Sequence, residues 1–399
     1  MTAGAPAARA PRLGPVLREE ERVTPLELFF DLVFVLAITQ CTALMAAHPT
    51  WEGLARGLLV LGVLWWCWVG YAWLTSVVDP EEGAVRIAIF AAMAAILVAA
   101  LAVPHAFNNA GLIFAIAYGI ARVAQVVLIY IASRDNKSLR HSVIAGLLGS
   151  TLIGVSLLVV ASQLDGLAQG ALWALALALD MAGPLFFGVE GWTLVPAHFA
   201  ERHGLIVLIA IGESIVAIGA GSNAHLDAGL ITAAVLGVAV AAVLWWLYFD
   251  VVVIVATRRL ARAPAGRERN SMARDSYSFL HLPMVAGIVL LALGMKKTLA
   301  HVDHHLDIVP ATAMYGGVAL YLLAHVAFRW RNLHTLNRQR ALTAALLVAL
   351  LPLVVSINAL PAVALLTAIL VTLIAYEAIR FADARDRIRH ELAREPVGE

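Results

Sequence analysis

Long apolar segments recur along this chain, each closed by a charged or Pro/Gly-containing break, and this pattern constrains the fold more than any single residue. The windows fall at 26–47, 54–77, 84–104, 110–132, 141–161, 168–188, 203–220, 227–256, 277–297, 309–328, 340–358 and 361–380. A helix needs about 20 apolar residues to cross a hydrocarbon core of about 30 Å. The expectation is an all-α polytopic membrane protein with about twelve transmembrane helices. The eighth window is long enough to run past the bilayer. The last two are parted only by the turn at Asn358–Pro361, so ten or eleven is the alternative count. Composition agrees: 61% of the 399 residues are hydrophobic and only 14% are charged, against about 25% charged in a soluble domain. Lipid must be the solvent for much of that apolar surface.

Charge placement gives the orientation. With the N-terminus inside, only Arg56, Lys296 and Lys297 of the 28 Lys and Arg residues fall in outer loops, and Arg122 lies within span 4. All others lie on inner segments, and positive charge favours the cytoplasmic side. Both termini are expected there, in a multi-pass protein of the cell membrane. Residues 1–24 lack an apolar core and read as a disordered cytoplasmic tail, not a cleaved signal; 381–399 read as a charged cytoplasmic tail. Cys41 and Cys67 both sit inside apolar segments, which excludes a disulfide framework or a Cys-rich metal module.

The chain carries an internal repeat. Glu27–Gln40 lines up with Glu201–Ser214, Leu64-Trp65-Trp66 with Leu244-Trp245-Trp246, the span around Met93 with that around Met284, and Tyr118-Gly119 with Tyr315-Gly316. This divides the chain into six-span halves, 25–190 and 191–380. Six is even, so both halves enter from the same side, as a parallel repeat about an axis along the membrane normal. Routes in such folds lie between the halves, which singles out the equivalent spans 1 and 7.

Those two spans hold the most suggestive polar residues. Glu27 and Asp31 lie one turn apart on one face of span 1, with Thr39 two turns further on. A carboxylate in hydrocarbon costs roughly 2.5–3.5 kcal/mol on insertion scales, so one that stays faces protein or a water-filled path. Glu27 also fits a helix-start role behind Thr24 and Pro25. In span 7, Glu213 is flanked by Gly212 and Ser214, three turns along one face from Arg202. Arg202 either anchors at the inner surface or pairs with Glu27 or Asp31. Further intramembrane polar groups are Arg122, Asp180, Glu190, Asp250, His281 and His325. Arg122 needs an acid, and Asp180 and Asp250 are both candidates. The outer loop His301–Asp307 matches no structural-zinc spacing and reads as a solvated loop; no metal or cofactor is expected. The Arg-rich inner loop 258–274 suits contact with anionic headgroups.

There is no Walker loop, dinucleotide fingerprint, His-Glu-x-x-His or Gly-x-Ser-x-Gly, so an ATP-driven pump or a familiar membrane hydrolase is not expected, and nothing points to nucleic acid. The segments Glu27-Leu-Phe-Phe-Asp-Leu-Val-Phe-Val35 and Glu201-Arg-His-Gly204 with Leu208-Ile-Ala-Ile-Gly-Glu-Ser214 resemble the bacterial low temperature requirement protein A family, over about residues 23–380. His203 stands where that pattern has an aromatic residue. The family is named for growth in the cold, so the resemblance implies a membrane stress protein without naming a molecular activity. The residues themselves point to a transporter or channel for a small ion or solute, with Asp31, Glu213, Arg202, Glu27, Thr39 and Ser214 along its route. The alternatives are a membrane-embedded enzyme or lipid-handling protein, using His281 or His325, and a non-transporting stress protein. Oligomeric state is not legible.

Overall fold

A computed structural model describes residues 22–81, 83–186, 189–221, 227–383 and 385–387; the proposed tail at 1–21 and the end of the chain lie outside them. Within those residues the elements are α1 (Pro25–Ala47), α2 (Trp51–Val77), α3 (Gly83–Ala102), α4 (Gly111–Ala132), α5 (Lys137–Ser142), α6 (Gly149–Ala161), α7 (Gly166–Phe186), α8 (Pro196–Gly221), α9 (Ala228–Phe249), α10 (Val252–Arg262), α11 (Arg267–Ala273), α12 (His281–Ala300), α13 (Ile308–Leu333), α14 (Arg338–Ala349), α15 (Leu351–Val354) and α16 (Ala359–Arg380). One-turn π segments join α5 to α6 and α11 to α12. No strand is present among the described residues.

Polar caps start the helices where the apolar windows begin. Thr24 accepts from the Glu27 amide and Glu27 returns a bond to the Thr24 amide, a capping box ahead of Pro25. Thr50, Asn136, Asp227 and Asn337 cap α2, α5, α9 and α14. Eleven helical stretches are long and apolar enough to cross a membrane. Large apolar side chains such as Leu167, Phe186 and Ile379 are bare on the outside of the bundle. Water would not tolerate so much exposed apolar surface; lipid does.

Three expected boundaries move. The eighth window breaks at Asp250–Val251, because the apolar residues beyond belong to α10, whose Ala256 and Leu260 pack inward. The window 340–358 forms a 12-residue helix and a short one, parted at Leu350 just before Pro352. It still runs the length of its neighbours: Arg340 at its start bonds Glu377 near the end of α16, and Asn358 beyond its finish pairs with His305 ahead of α13. Span 7 starts at Pro196, seven residues before the expected 203. Its early polar residues lower the local hydropathy, yet they are helical, and His198 and Arg202 find their partners on α1 and α2.

In the first half α1 packs on α2 and α3, α3 on α4, α4 on α6, α6 on α7, and α7 returns to α2. In the second half α8 packs on α9 and α12, α12 on α13, α13 on α14, α14 on α16, and α16 returns to α9. The halves meet where α1 and α2 face α8 and α12. Burial follows: 89% of the α2 window is inside the protein, against 28% for α7. The π turn at Arg274–Phe279 serves this seam. The Trp65 indole donates to the Ser278 carbonyl at 2.8 Å and the Trp73 indole to its hydroxyl at 2.9 Å.

Candidate functional site

Because α8 begins at Pro196, Arg202 lies in its second turn, fully buried against α1 and α2. Its Nη1 donates to Glu27 Oε1 at 2.9 Å and to Thr75 Oγ1 at 3.1 Å, and its Nη2 donates to Asp31 Oδ1 at 2.7 Å. The Trp68 indole donates to the same Asp31 oxygen at 2.8 Å. His198 Nε2 lies 2.8 Å from Glu27 Oε1, and its Nδ1 lies 3.3 Å from Ser76 Oγ. The i, i+4 spacing that puts Glu27 and Asp31 on one face thus presents two carboxylates to one guanidinium fork. Glu27 holds both roles expected for it: Oε2 closes the helix cap and Oε1 receives the ion pair. Two acids and two potential cations make a buried cluster whose members offset part of one another's desolvation, with Asp31 Oδ2 and Arg202 Nε left without a hydrogen-bond partner among the described residues.

Glu213 stands apart. It is eleven residues beyond Arg202, about 16 Å at 1.5 Å per residue. Its carboxylate accepts a short hydrogen bond from the Thr39 hydroxyl of α1. It is buried, and no cation is in ion-pair contact with it among the described residues; Thr42 is a second hydroxyl beside it, and Lys296 acts on it from further off. Ser214 donates to the Ile211 carbonyl of its own helix at 2.6 Å. Asp31 and Glu213 therefore do not form one constellation; they are two polar levels on the same pair of helices. Between them lies apolar packing of Phe34, Ala37, Ile38, Trp65 and Ile206 around a void of about 10 Å³, at the lower limit for one water.

The motifs on α1 and α8 lie within a single family match: the model for the bacterial low temperature requirement A protein (LtrA) covers residues 22–375. The chain belongs to this family. It is also 29% identical over 309 residues to an uncharacterized protein of Rhizobium meliloti (strain 1021), a match covering 74% of each chain. No solved structure matches.

Elsewhere in this LtrA-family chain, Arg122 finds its acid in Asp180, with Nη2 at 2.7 and 2.9 Å from the two carboxylate oxygens. Gln125 and Thr151 accept from Arg122, while Tyr118 and Ser150 donate to Asp180. Asp250, the other candidate, pairs instead with Arg385 at the C-terminal end of α9. Glu190 is not in a span; it follows α7, exposed, 3.8 Å from Arg267. His281 is a buried scaffold group: the Tyr248 hydroxyl lies 2.7 Å from its Nε2 and the Ser276 carbonyl 3.0 Å from its Nδ1. His325 sits against Arg340. In the loop between α12 and α13, His301 and His304 meet edge to face. No group of three or more His, Cys, Asp or Glu residues is arranged to hold a metal among the described residues.

Sequence reasoning missed Trp68, Thr75 and His198 as partners of the acids, and the Arg340–Glu377 pair. Trp68 hid in the Trp-rich run of α2, where any indole reads as apolar filling. His198 offered a signal: it lies one turn before Arg202, so both share a face.

Proposed function

We propose that this LtrA-family protein is a multi-pass protein of the cell membrane that moves a small cation or solute, as a transporter or channel, with the route between α1 and α8. The observation that carries this reading is Glu213, a buried carboxylate deep in a span that meets the Thr39 and Thr42 hydroxyls of α1, with Lys296 of α12 acting on it from further off. An intramembrane acid marks an ion or proton site by default.

The repeat adds support. The alignment of Glu27–Gln40 with Glu201–Ser214 makes Thr39 and Glu213 equivalent positions, and these two residues touch. Equivalent residues of a twofold repeat meet only on its axis, so Glu213 would lie on the axis of a parallel six-plus-six arrangement. The same order of helix packing in both halves agrees. So does the pair of equivalent tyrosines, Tyr118 and Tyr315, each bonding the last helix of its half. Counting α14 with α15 as one crossing gives twelve, which keeps both termini on the cytoplasmic side.

On this reading the Arg202 cluster is the inner closure. It joins α8 to α1 and α2 through charged bonds, and no measurable void remains beside Glu27 and Arg202. Rocking of one half against the other, the usual motion of such repeats, would part it. The tight packing around Phe34 and Trp68 favours the second reading, a non-transporting membrane stress protein. Cation flux into proteoliposomes separates the two. The proposal expects wild-type flux above protein-free vesicles and a loss of at least about tenfold in Glu213→Gln. Wild-type flux equal to protein-free vesicles would leave the second reading.

A further inference from the structure

The roomiest space described lies away from α1 and α8, at the inner end of the second half. It is a cavity of about 310 Å³ bounded by the ends of α9, α13 and α16 and the starts of α10 and α14, within the usual size of small-molecule sites. Much of its wall is apolar, including Leu247, Val252, Val255 and Phe328. Trp246 and Phe381, both partly exposed, stand on its edge.

The polar part of the wall is unbalanced. Three arginines line it, Arg329, Arg340 and Arg385, against two carboxylates, Asp250 and Glu377. Arg340 is spent on Glu377, with Nε at 3.0 Å and Nη2 at 2.9 Å from its two oxygens. Arg385 is spent on Asp250 and lies over the Trp246 ring. Arg329, exposed at the edge of the cavity, bonds the Thr335 hydroxyl through Nε at 2.9 Å; no carboxylate is in ion-pair contact with it among the described residues, and Glu377 acts on it only from further off. Arg340 Nη1 also donates to His325 Nδ1 at 3.1 Å, which leaves Arg329 as the guanidinium of this wall with no carboxylate in direct contact among the described residues.

We propose that this cavity binds an anionic amphiphile: a phosphate- or carboxylate-type head held by Arg329, with an apolar portion lying along Val252, Val255 and Phe328. The planar donors of arginine match such heads, and the aromatic edge suits the membrane–water interface. A lipid of the inner leaflet and a soluble amphiphilic anion share this chemistry.

Native mass spectrometry of the full chain in detergent tests it, using palmitoyl-oleoyl phosphatidylglycerol and palmitoyl-oleoyl phosphatidylcholine as probes. The site predicts retention of phosphatidylglycerol about tenfold stronger than of phosphatidylcholine, a difference of about 1.4 kcal/mol. Arg329→Gln should abolish that preference and Arg329→Lys should restore most of it. Val255→Trp, which fills the cavity from another side, should also abolish it. Octyl phosphate that displaces phosphatidylglycerol would identify a soluble ligand, and failure to displace it a lipid; either supports the anionic site. Equal retention of the two lipids by the wild type, or a preference unchanged in both Arg329→Gln and Val255→Trp, would overturn it.

Discussion

The Thr39 hydroxyl on α1 donates to the Glu213 carboxylate on α8, and the internal alignment of the chain pairs these same two residues. Glu213 therefore lies where α8 faces α1, while Arg202, on the same face of α8, lies three turns nearer the start of that helix. Polar residues that look like one set in sequence stand at two levels: a charged cluster at Arg202 and a separate acid at Glu213.

The Arg202 cluster should be costly to break from one side. Arg202→Gln leaves Glu27 and Asp31 buried with one fewer cation, and removing one partner of a buried pair costs about 3–5 kcal/mol. Arg202→Lys should recover only part, because a single ammonium cannot reproduce the fork that reaches Glu27 and Asp31 through separate nitrogens. Thermal unfolding of the purified protein in detergent reads both.

Trp68→Phe keeps most of the ring but deletes the N–H that reaches Asp31. The expected cost is about 1–3 kcal/mol, the penalty for a lost bond to a buried polar group. A double-mutant cycle with Asp31→Asn should show coupling, since the two residues share that bond.

Arg122 and Asp180 should behave as a unit. Each of Arg122→Met and Asp180→Leu strands a buried charge, whereas the double substitution removes both. Unfolding measurements should find the double variant less destabilised than the sum of the singles, and close to wild type if the apolar pair packs well.

The seam between α12 and α13 depends on close backbone approach. A Cβ on Gly287 would lie 2.5 Å from the Gly317 carbonyl oxygen, and one on Gly294 would lie 2.4 Å from Met314 Cβ. Gly287→Val should destabilise the fold by about 1–3 kcal/mol or more through overpacking. Gly149→Val, where a Cβ meets nothing within 4 Å, is the matched control.

The bilayer imposes one coarse rule, a run of apolar residues per crossing, and most of the architecture was legible through it. What escaped it was finer. The start of α8 was misplaced because His198, Glu201, Arg202 and His203 depress hydropathy while remaining helical; the bonds of His198 and Arg202 to α1 and α2 are tertiary facts. The partner of Arg122 could not be chosen because Asp180 and Asp250 have equal chemistry and differ only in which helices pack together. The i, i+4 acids of α1 were visible, and Arg202 was already a candidate partner. The Trp68, Thr75 and His198 contacts depend on how α2 and α8 are rotated, which periodicity alone does not report. Nor did any local pattern announce the cavity beside Arg329, whose walls come from five helices.

The central claim is that Glu213 lies on a path that opens when the Arg202 latch parts. Cys41 and Cys67 are buried and free, so Glu213→Cys in a Cys41→Ala, Cys67→Ala background places one defined thiol on the proposed path. The measurement is the rate at which a small cationic methanethiosulfonate labels that thiol in membrane vesicles, with and without Arg202→Gln. The account predicts detectable labelling that speeds up at least about tenfold when the latch is removed, equivalent to about 1.4 kcal/mol in the opening equilibrium. A thiol at 213 that stays unlabelled in both backgrounds, in protein that remains folded, would contradict it.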